Sequence, residues 1–186
     1  MIAVDKNRSA EEKIAQCKAE KIPYLNLSDL DLEEIPESIR ELTWLGALSL
    51  SRNKLSNIDV LAPLTNIHKL AFSNNTIEDI RVLQHFPKLK HLFMHHNAIE
   101  DISILRALQK LKKIEANHNQ IVSIASLVDH EQLVFLDVAH NRLTNTQALE
   151  QIKSLVWVCI EGNSLEKEKL IRSALTLPKL RHFTYL

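Results

Sequence analysis

The sequence predicts an α/β solenoid. Short coils of chain stack into a curved parallel sheet of about seven to eight strands, with 3-10 or single helical turns on the convex side and a helix capping each end. Three observations predict it. Asparagines recur at positions 53, 75, 97, 119, 141 and 163, each 22 residues after the last. The same apolar frame surrounds each one, first as Leu45, Leu48, Leu50, Asn53, Leu55 and Ile58, and then over 67–80, 89–102, 111–124, 133–143 and 155–165. Helix-forming segments flank the array on both sides. A period that does not drift over successive intervals is the mark of a structural repeat.

Each element has a local reason. Ser9-Ala10-Glu11-Glu12 reads as a capping box, so a helix is expected over about 9–21 with Ala10, Ile14 and Cys17 on one face. A looser copy of the frame follows as Ile22, Leu25, Leu27, Leu30, Leu32 and Ile35, with Leu30 in the asparagine slot. Within each frame the L-x-L pair alternates with period two, which makes one short strand with both leucines on the same side. A single coil cannot bury that side, whereas stacked coils spaced at roughly 4.8 Å can. Asparagine is needed where the chain leaves the strand, because its amide both donates and accepts and so can satisfy backbone groups that the turn would leave unpaired. After the strand comes an apolar stripe of spacing three, such as Ile58, Leu61, Leu64 and Ile80, Leu83, Phe86, which predicts a 3-10 or single helical turn. At the far end Ser164 is placed to cap a helix through Leu175, with Leu165, Leu170, Ile171 and Ala174 apolar, before Phe183 and Tyr185 imitate a last strand. The expected organisation is one domain over 1–186, with repeats over 22–165 and a closing helix and strand over 164–186, complete at both ends.

The frame L-x-x-L-x-L-x-x-N-x-L over Ile22 to Leu165 resembles the leucine-rich repeat superfamily. The stretch Leu64-Thr65-Asn66-Ile67-His68-Lys69-Leu70 through Ile77-Glu78-Asp79-Ile80 is similar to the 22-residue class of internalins and of the leucine-rich regulatory subunit of protein phosphatase 1. Leu32-Glu33-Glu34-Ile35-Pro36-Glu37-Ser38-Ile39 looks more like the type that begins the repeats of bacterial Roco GTPases. The resemblance implies a binding scaffold that uses its concave sheet. It implies no particular partner, since the matching positions are packing positions. Internalins are secreted and have longer arrays, a pattern this chain does not follow.

The net charge is zero, with 23 basic and 23 acidic side chains, which gives no bulk attraction to nucleic acid or to an anionic membrane. No apolar run approaches the ~20 residues of a membrane span. The start, Met1 to Lys6, lacks the apolar region of a secretory signal. Cys17 and Cys159 fall at opposite ends of the array, too far apart to pair. These features point to a reducing, cytoplasmic setting; a chain already stripped of its leader would read the same way.

The residues between the frame leucines face outward and give the concave surface. The columns of the first three coils are small and polar. The later columns hold Phe93, Phe135 and Trp157 among His91, His95, His96, Lys113, Glu115, His118, Asp137, His140 and Glu161. Aromatics exposed among charges mark an interaction patch. These residues are the expected contact set for a protein partner, with the terminal segment near His182 and Tyr185 as an alternative cover for Trp157. His96, His118 and His140 share one column, which raises a metal-binding or proton-responsive surface as an alternative; a metal site usually needs a third ligand.

No catalytic pattern is present. The two glycines, Gly46 and Gly162, exclude glycine-rich phosphate loops. Cys159 has Asp137 beside it on the neighbouring strand, and a carboxylate raises a thiol pKa, the wrong direction for a nucleophile. The expected role is therefore a non-enzymatic protein-binding module with no cofactor, no metal, no nucleic acid and no membrane. A regulatory or inhibitory subunit, phosphatase-regulator-like or toxin-immunity-like, is the alternative. A monomer is expected, with a free strand edge near 183–186 open to a second copy.

Overall fold

A computed structural model describes residues 6–185. The chain forms one eight-stranded parallel sheet whose strands run in sequence order, β1 (Tyr24–Asn26), β2 (Ala47–Ser49), β3 (Lys69–Ala71), β4 (His91–Phe93), β5 (Lys113–Glu115), β6 (Phe135–Asp137), β7 (Trp157–Cys159) and β8 (His182–Thr184). Each strand pairs with the next in one register, for example Leu48 with Leu70 and Leu70 with Leu92. On the outer side 3-10 turns span Glu37–Glu41, Asp59–Leu61, Arg81–His85, Ser103–Ala107, Ala125–Leu127 and Leu149–Gln151. They are short because a 22-residue coil has no room for more, and a 3-10 turn closes on spacing three.

The core runs the length of the stack. The frame residues Leu70, Phe72, Leu92, Met94, Ile114, Ala116, Leu136 and Val138 have no exposure at all, and neither do Leu61, Leu83, Leu105 and Leu127 behind them. Each coil thus covers the apolar face of its neighbour, which no coil can do alone.

The asparagines stitch adjacent coils. In Asn97 the amide Nδ2 donates to Phe72 O and Met94 O at 3.1 Å each, while Oδ1 accepts from Ile77 N at 3.0 Å. Asn75, Asn119, Asn141 and Asn163 repeat this geometry one coil on or back. Asn53 begins the ladder differently. Its Oδ1 accepts from both Leu30 N and Leu32 N, whereas in the next coils the slot N–H of Asn75 and Asn97 goes to a backbone carbonyl.

A helix packs near each end of the array, though neither starts where the local signals predict. Helix α1 spans Lys6–Glu20 and begins before Ser9, which lies within it and does not start it. Ala10, Ile14 and Cys17 are buried against the first coil. Helix α2 spans Lys167–Leu175 with Glu166 at its N-cap and no side-chain cap bond, so Ser164 does not start it. Of its apolar residues Leu170 is buried, whereas Ile171 and Leu175 are 40% and 82% exposed. The helix docks through Leu170 and Ser173, whose hydroxyl lies 2.7 Å from the Glu150 carboxylate and 2.8 Å from the Thr146 hydroxyl. A small polar residue at the contact lets the helix sit close, and the larger apolar ones stay outside. Among the described residues β8 pairs only with β7; Leu186 lies outside them.

Candidate functional site

The concave face is one side of a strictly registered sheet, so its side chains form rows running from coil to coil. The row just before the frame leucine reads Tyr24, Ala47, Lys69, His91, Lys113, Phe135, Trp157 and His182. The row between the two frame leucines reads Asn26, Ser49, Ala71, Phe93, Glu115, Asp137, Cys159 and Thr184. Parallel pairing at roughly 4.8 Å is close enough for rings in successive strands to stack.

They do so at the end of the array. Phe135 and Trp157 stack with centroids 4.1 Å apart and planes 2° from parallel. His182 continues the pile on Trp157 at 5.1 Å and 3°. The Lys113 ammonium lies 4.1 Å from the Phe135 centroid and 5.5 Å from that of Phe93, and pairs with Glu115 at 2.8 Å. Phe93 does not join the stack. It stands in the neighbouring row two coils away, linked to Phe135 only through Lys113, and Lys69 lies on it at 5.5 Å. The three rings sequence reasoning grouped are therefore a stacked pair and a separate ring bridged by a cation. All three are half-buried, not open to water.

Sequence reasoning named the segment around His182 as a possible shield for Trp157 without placing its ring in a stack. The step from Trp157 to His182 is 25 residues, because α2 replaces the ordinary outer turn, and a 22-residue period assigns the slot to Lys179 instead. The expectation that the terminal segment covers Trp157 holds for His182, while Tyr185 packs on Phe183.

The histidine column has a backbone cause that the sequence did not reveal. Asp29, Arg52, Asn74, His96, His118 and His140 all adopt the left-handed conformation, with φ between 51° and 61°, and Gly162 completes the column at 66°. Asp, Asn and His are the non-glycine residues most often found there. Each coil turns off its strand through this position, one residue before the ladder asparagine. The imidazoles then stack: His96 on His118 at 4.2 Å and 9°, and His118 near His140 at 4.4 Å. His95 and His96 approach through their Nδ1 atoms at 3.0 Å, which requires one of the two nitrogens to be bare. The His118 Nδ1 lies 3.0 Å from Asn117 Oδ1, and the Asn117 amide donates to Asp137 Oδ2 at 2.7 Å. Burial holds the pKa of His95, His96 and His118 below the ordinary histidine value, with neighbouring imidazoles adding to the effect. His91 is lowered by burial and by the cations of Lys69, His68, Lys112 and Lys113. His140 approaches Glu161 at 3.8 Å. Among the described residues no three histidines, cysteines or carboxylates converge as a metal site.

The carboxylates are engaged locally, Glu115 by Lys113 and Asp137 by Asn117 and the backbone N–H of Ala139. Cys159 is buried and its thiol is pushed up to about 11, chiefly by burial and then by Asp137. A thiol so protonated at neutral pH is a poor nucleophile.

The fold and the repeated frame define a class, the leucine-rich repeat proteins. Residues 65–107 match the family described as leucine-rich repeats in two copies, and the fold of the whole array is that of a leucine-rich repeat solenoid. Among solved structures it is similar to an internalin of Listeria monocytogenes, InlF, at 26% identity and a TM-score of 0.77, over 88% of this chain and 53% of that one. The chain thus spans about half the length of that internalin. Internalin C2 of Listeria monocytogenes shares the fold at 20% identity and a TM-score of 0.73, over 98% and 93% of the two chains. A leucine-rich repeat protein of Leptospira interrogans does so at 18% identity and 0.74, over 91% and 50%. No curated protein sequence matches the chain.

Proposed function

We propose that this chain is a non-catalytic protein-binding module whose partner docks on the concave face over β4–β7. Leucine-rich repeat proteins are generally binding scaffolds, which supports the class. The observation that carries the location is the stacked Phe135–Trp157–His182 pile on the concave side, flanked by Lys113, Glu115 and Asp137. Rigid stacked rings lose little side-chain entropy on binding and are the usual anchors of an interface. Among the described residues no helix is long and apolar enough to cross a membrane. Both cysteines are free and buried, in keeping with a proposed reducing compartment.

The test is affinity capture from the native cell, followed by titration of the recovered partner. Trp157→Ala or Phe135→Ala is expected to cost about 2 kcal/mol or more of binding free energy, and Ser49→Ala little. Equal losses at all three positions overturn a localised patch. A single stoichiometric enzyme as the recovered partner would make the module a regulatory or inhibitory subunit. A proton-responsive surface is a second reading, favoured by the His96–His118 stack at 4.2 Å. Partner affinity unchanged between about pH 5.5 and 7.5, the range that brackets histidine titration, removes it.

A further inference from the structure

The first coils of the concave wall are not featureless. Between Tyr24, which is 66% exposed, and Phe93 the sheet carries the small side chains of Ala47, Ser49 and Ala71 beside Asn26 and Lys69, and they leave a hollow of about 500 Å³. That volume lies within the range of sites that take a small ligand or a partner's anchoring side chain. In the hollow Ser73 is 2% exposed, and its Oγ has no hydrogen-bond partner. The Ser49 hydroxyl, by contrast, is engaged with that of Ser28 at 2.7 Å. An unpaired buried hydroxyl is a cost to the free protein that a polar group seated nearby relieves by a small rotation of the serine.

The margins differ in charge. On one side Asp29 and Arg52 neutralise each other. On the other, Lys69 is exposed and makes no ion pair among the described residues. The Lys69 ammonium already leans over the Phe93 ring, so an occupant of the hollow meets an uncompensated cation at its rim.

We infer that this hollow is a second docking position on the same wall, built to receive one aromatic side chain from an acidic segment of a protein partner. The inference rests on the reading of the chain as a protein-binding module and adds the chemistry of what it binds. The ring fills the space between Tyr24 and Phe93, its backbone reaches Ser73, and a flanking carboxylate meets Lys69. Complementary charge at a rim acts mainly on encounter and register, while the buried anchor sets the lifetime.

The experiment follows backbone amide shifts of the full chain by NMR while the peptide Ac-Glu-Trp-Glu-NH2 is added to millimolar concentration, with Ac-Lys-Trp-Lys-NH2, Ac-Glu-Ala-Glu-NH2 and a single-stranded oligonucleotide as separate arms. The acidic tryptophan peptide is expected to shift Ala47, Ser49, Ala71 and Ser73 saturably, and the other three are not. Ala71→Trp, which fills the hollow, is expected to abolish the shifts; an unchanged thermal melt shows that it folds. Lys69→Glu sits on the exposed rim and is expected to weaken binding about tenfold, whereas Lys110→Glu on the outer side leaves it unchanged. Absence of saturable shifts overturns the proposal. So does equal response to the basic peptide, or a stronger response to the oligonucleotide. Shifts confined to β6 and β7 overturn the hollow and leave the aromatic pile standing, because the partner titration with Trp157→Ala decides that reading separately.

Discussion

The first three coils and the last four share one backbone and differ in nearly every outward side chain. On the inward side Leu48, Leu70, Leu92, Ile114 and Leu136 are equivalent, all nearly or wholly buried in matching register. On the outward side the first coils carry Asn26, Ala47, Ser49 and Ala71 around a hollow, and the later ones carry stacked rings and a ladder of imidazoles. The repeat therefore separates two tasks. Positions that face the neighbouring coil are fixed by packing, because each must fill the same space. Positions that face the concave opening are free to vary, because no coil rests on them.

The largest effect tests the equivalence. Leu70→Ala and Leu136→Ala, both with no exposure in the parent protein, are each expected to cost about 2–5 kcal/mol in urea unfolding. A difference between them larger than that range breaks the claim that the two halves have one core. Next come the asparagines. Asn119→Leu leaves the Ile99 N–H without its partner and takes one of the two asparagine donors from each of the Met94 and Ala116 carbonyls, at an expected cost of about 1–3 kcal/mol. Asn75 makes the same bonds but is less buried. Water can replace part of what Asn75→Leu removes, so the early variant is expected to lose less.

The smallest effect is set by pH and sharpens the contrast between halves. His91, His95, His96, His118 and the buried His130 all lie below the ordinary value of 6.5, chiefly through burial. The Nδ1 of His130 has no partner, so its neutral ring is favoured inside. Below about pH 6.5 the unfolded chain binds more protons than the folded one. Stability is therefore full above that pH and falls as the pH drops toward the folded-state values. All five residues lie from β4 to the segment just before β6. Hydrogen exchange at mildly acid pH is expected to rise first in coils four to six, ahead of β1–β3. Replacing His95, His96 and His118 by asparagine, which also tolerates the left-handed backbone, is expected to reduce that difference. A uniform rise along the stack contradicts the assignment.

Much of the fold was legible in the residues. The L-x-L alternation gave strand positions, and the constant interval gave their register, since equal coils must align residue for residue. The two helix starts were less legible. Ser9 and Ser164 are good capping residues by type, yet α1 begins earlier and α2 later. Local capping chemistry adds about 1 kcal/mol, less than docking an apolar face against the end of the stack. The concave rows followed from register, but what the side chains do there did not. Phe93 is separated from Phe135 by Lys113, and His182 enters the pile through a coil of unequal length.

By itself the sequence determined the repeat: apolar and asparagine positions recur because every coil faces the same neighbour, and a periodic pattern is a local property of the chain. The tertiary structure decided the surface. The left-handed turn that aligns His96, His118 and His140, the small-residue hollow beside an unpaired Ser73, and the closing stack on Trp157 all depend on distances between residues 22 or more positions apart. Those distances exist only once the coils are laid side by side.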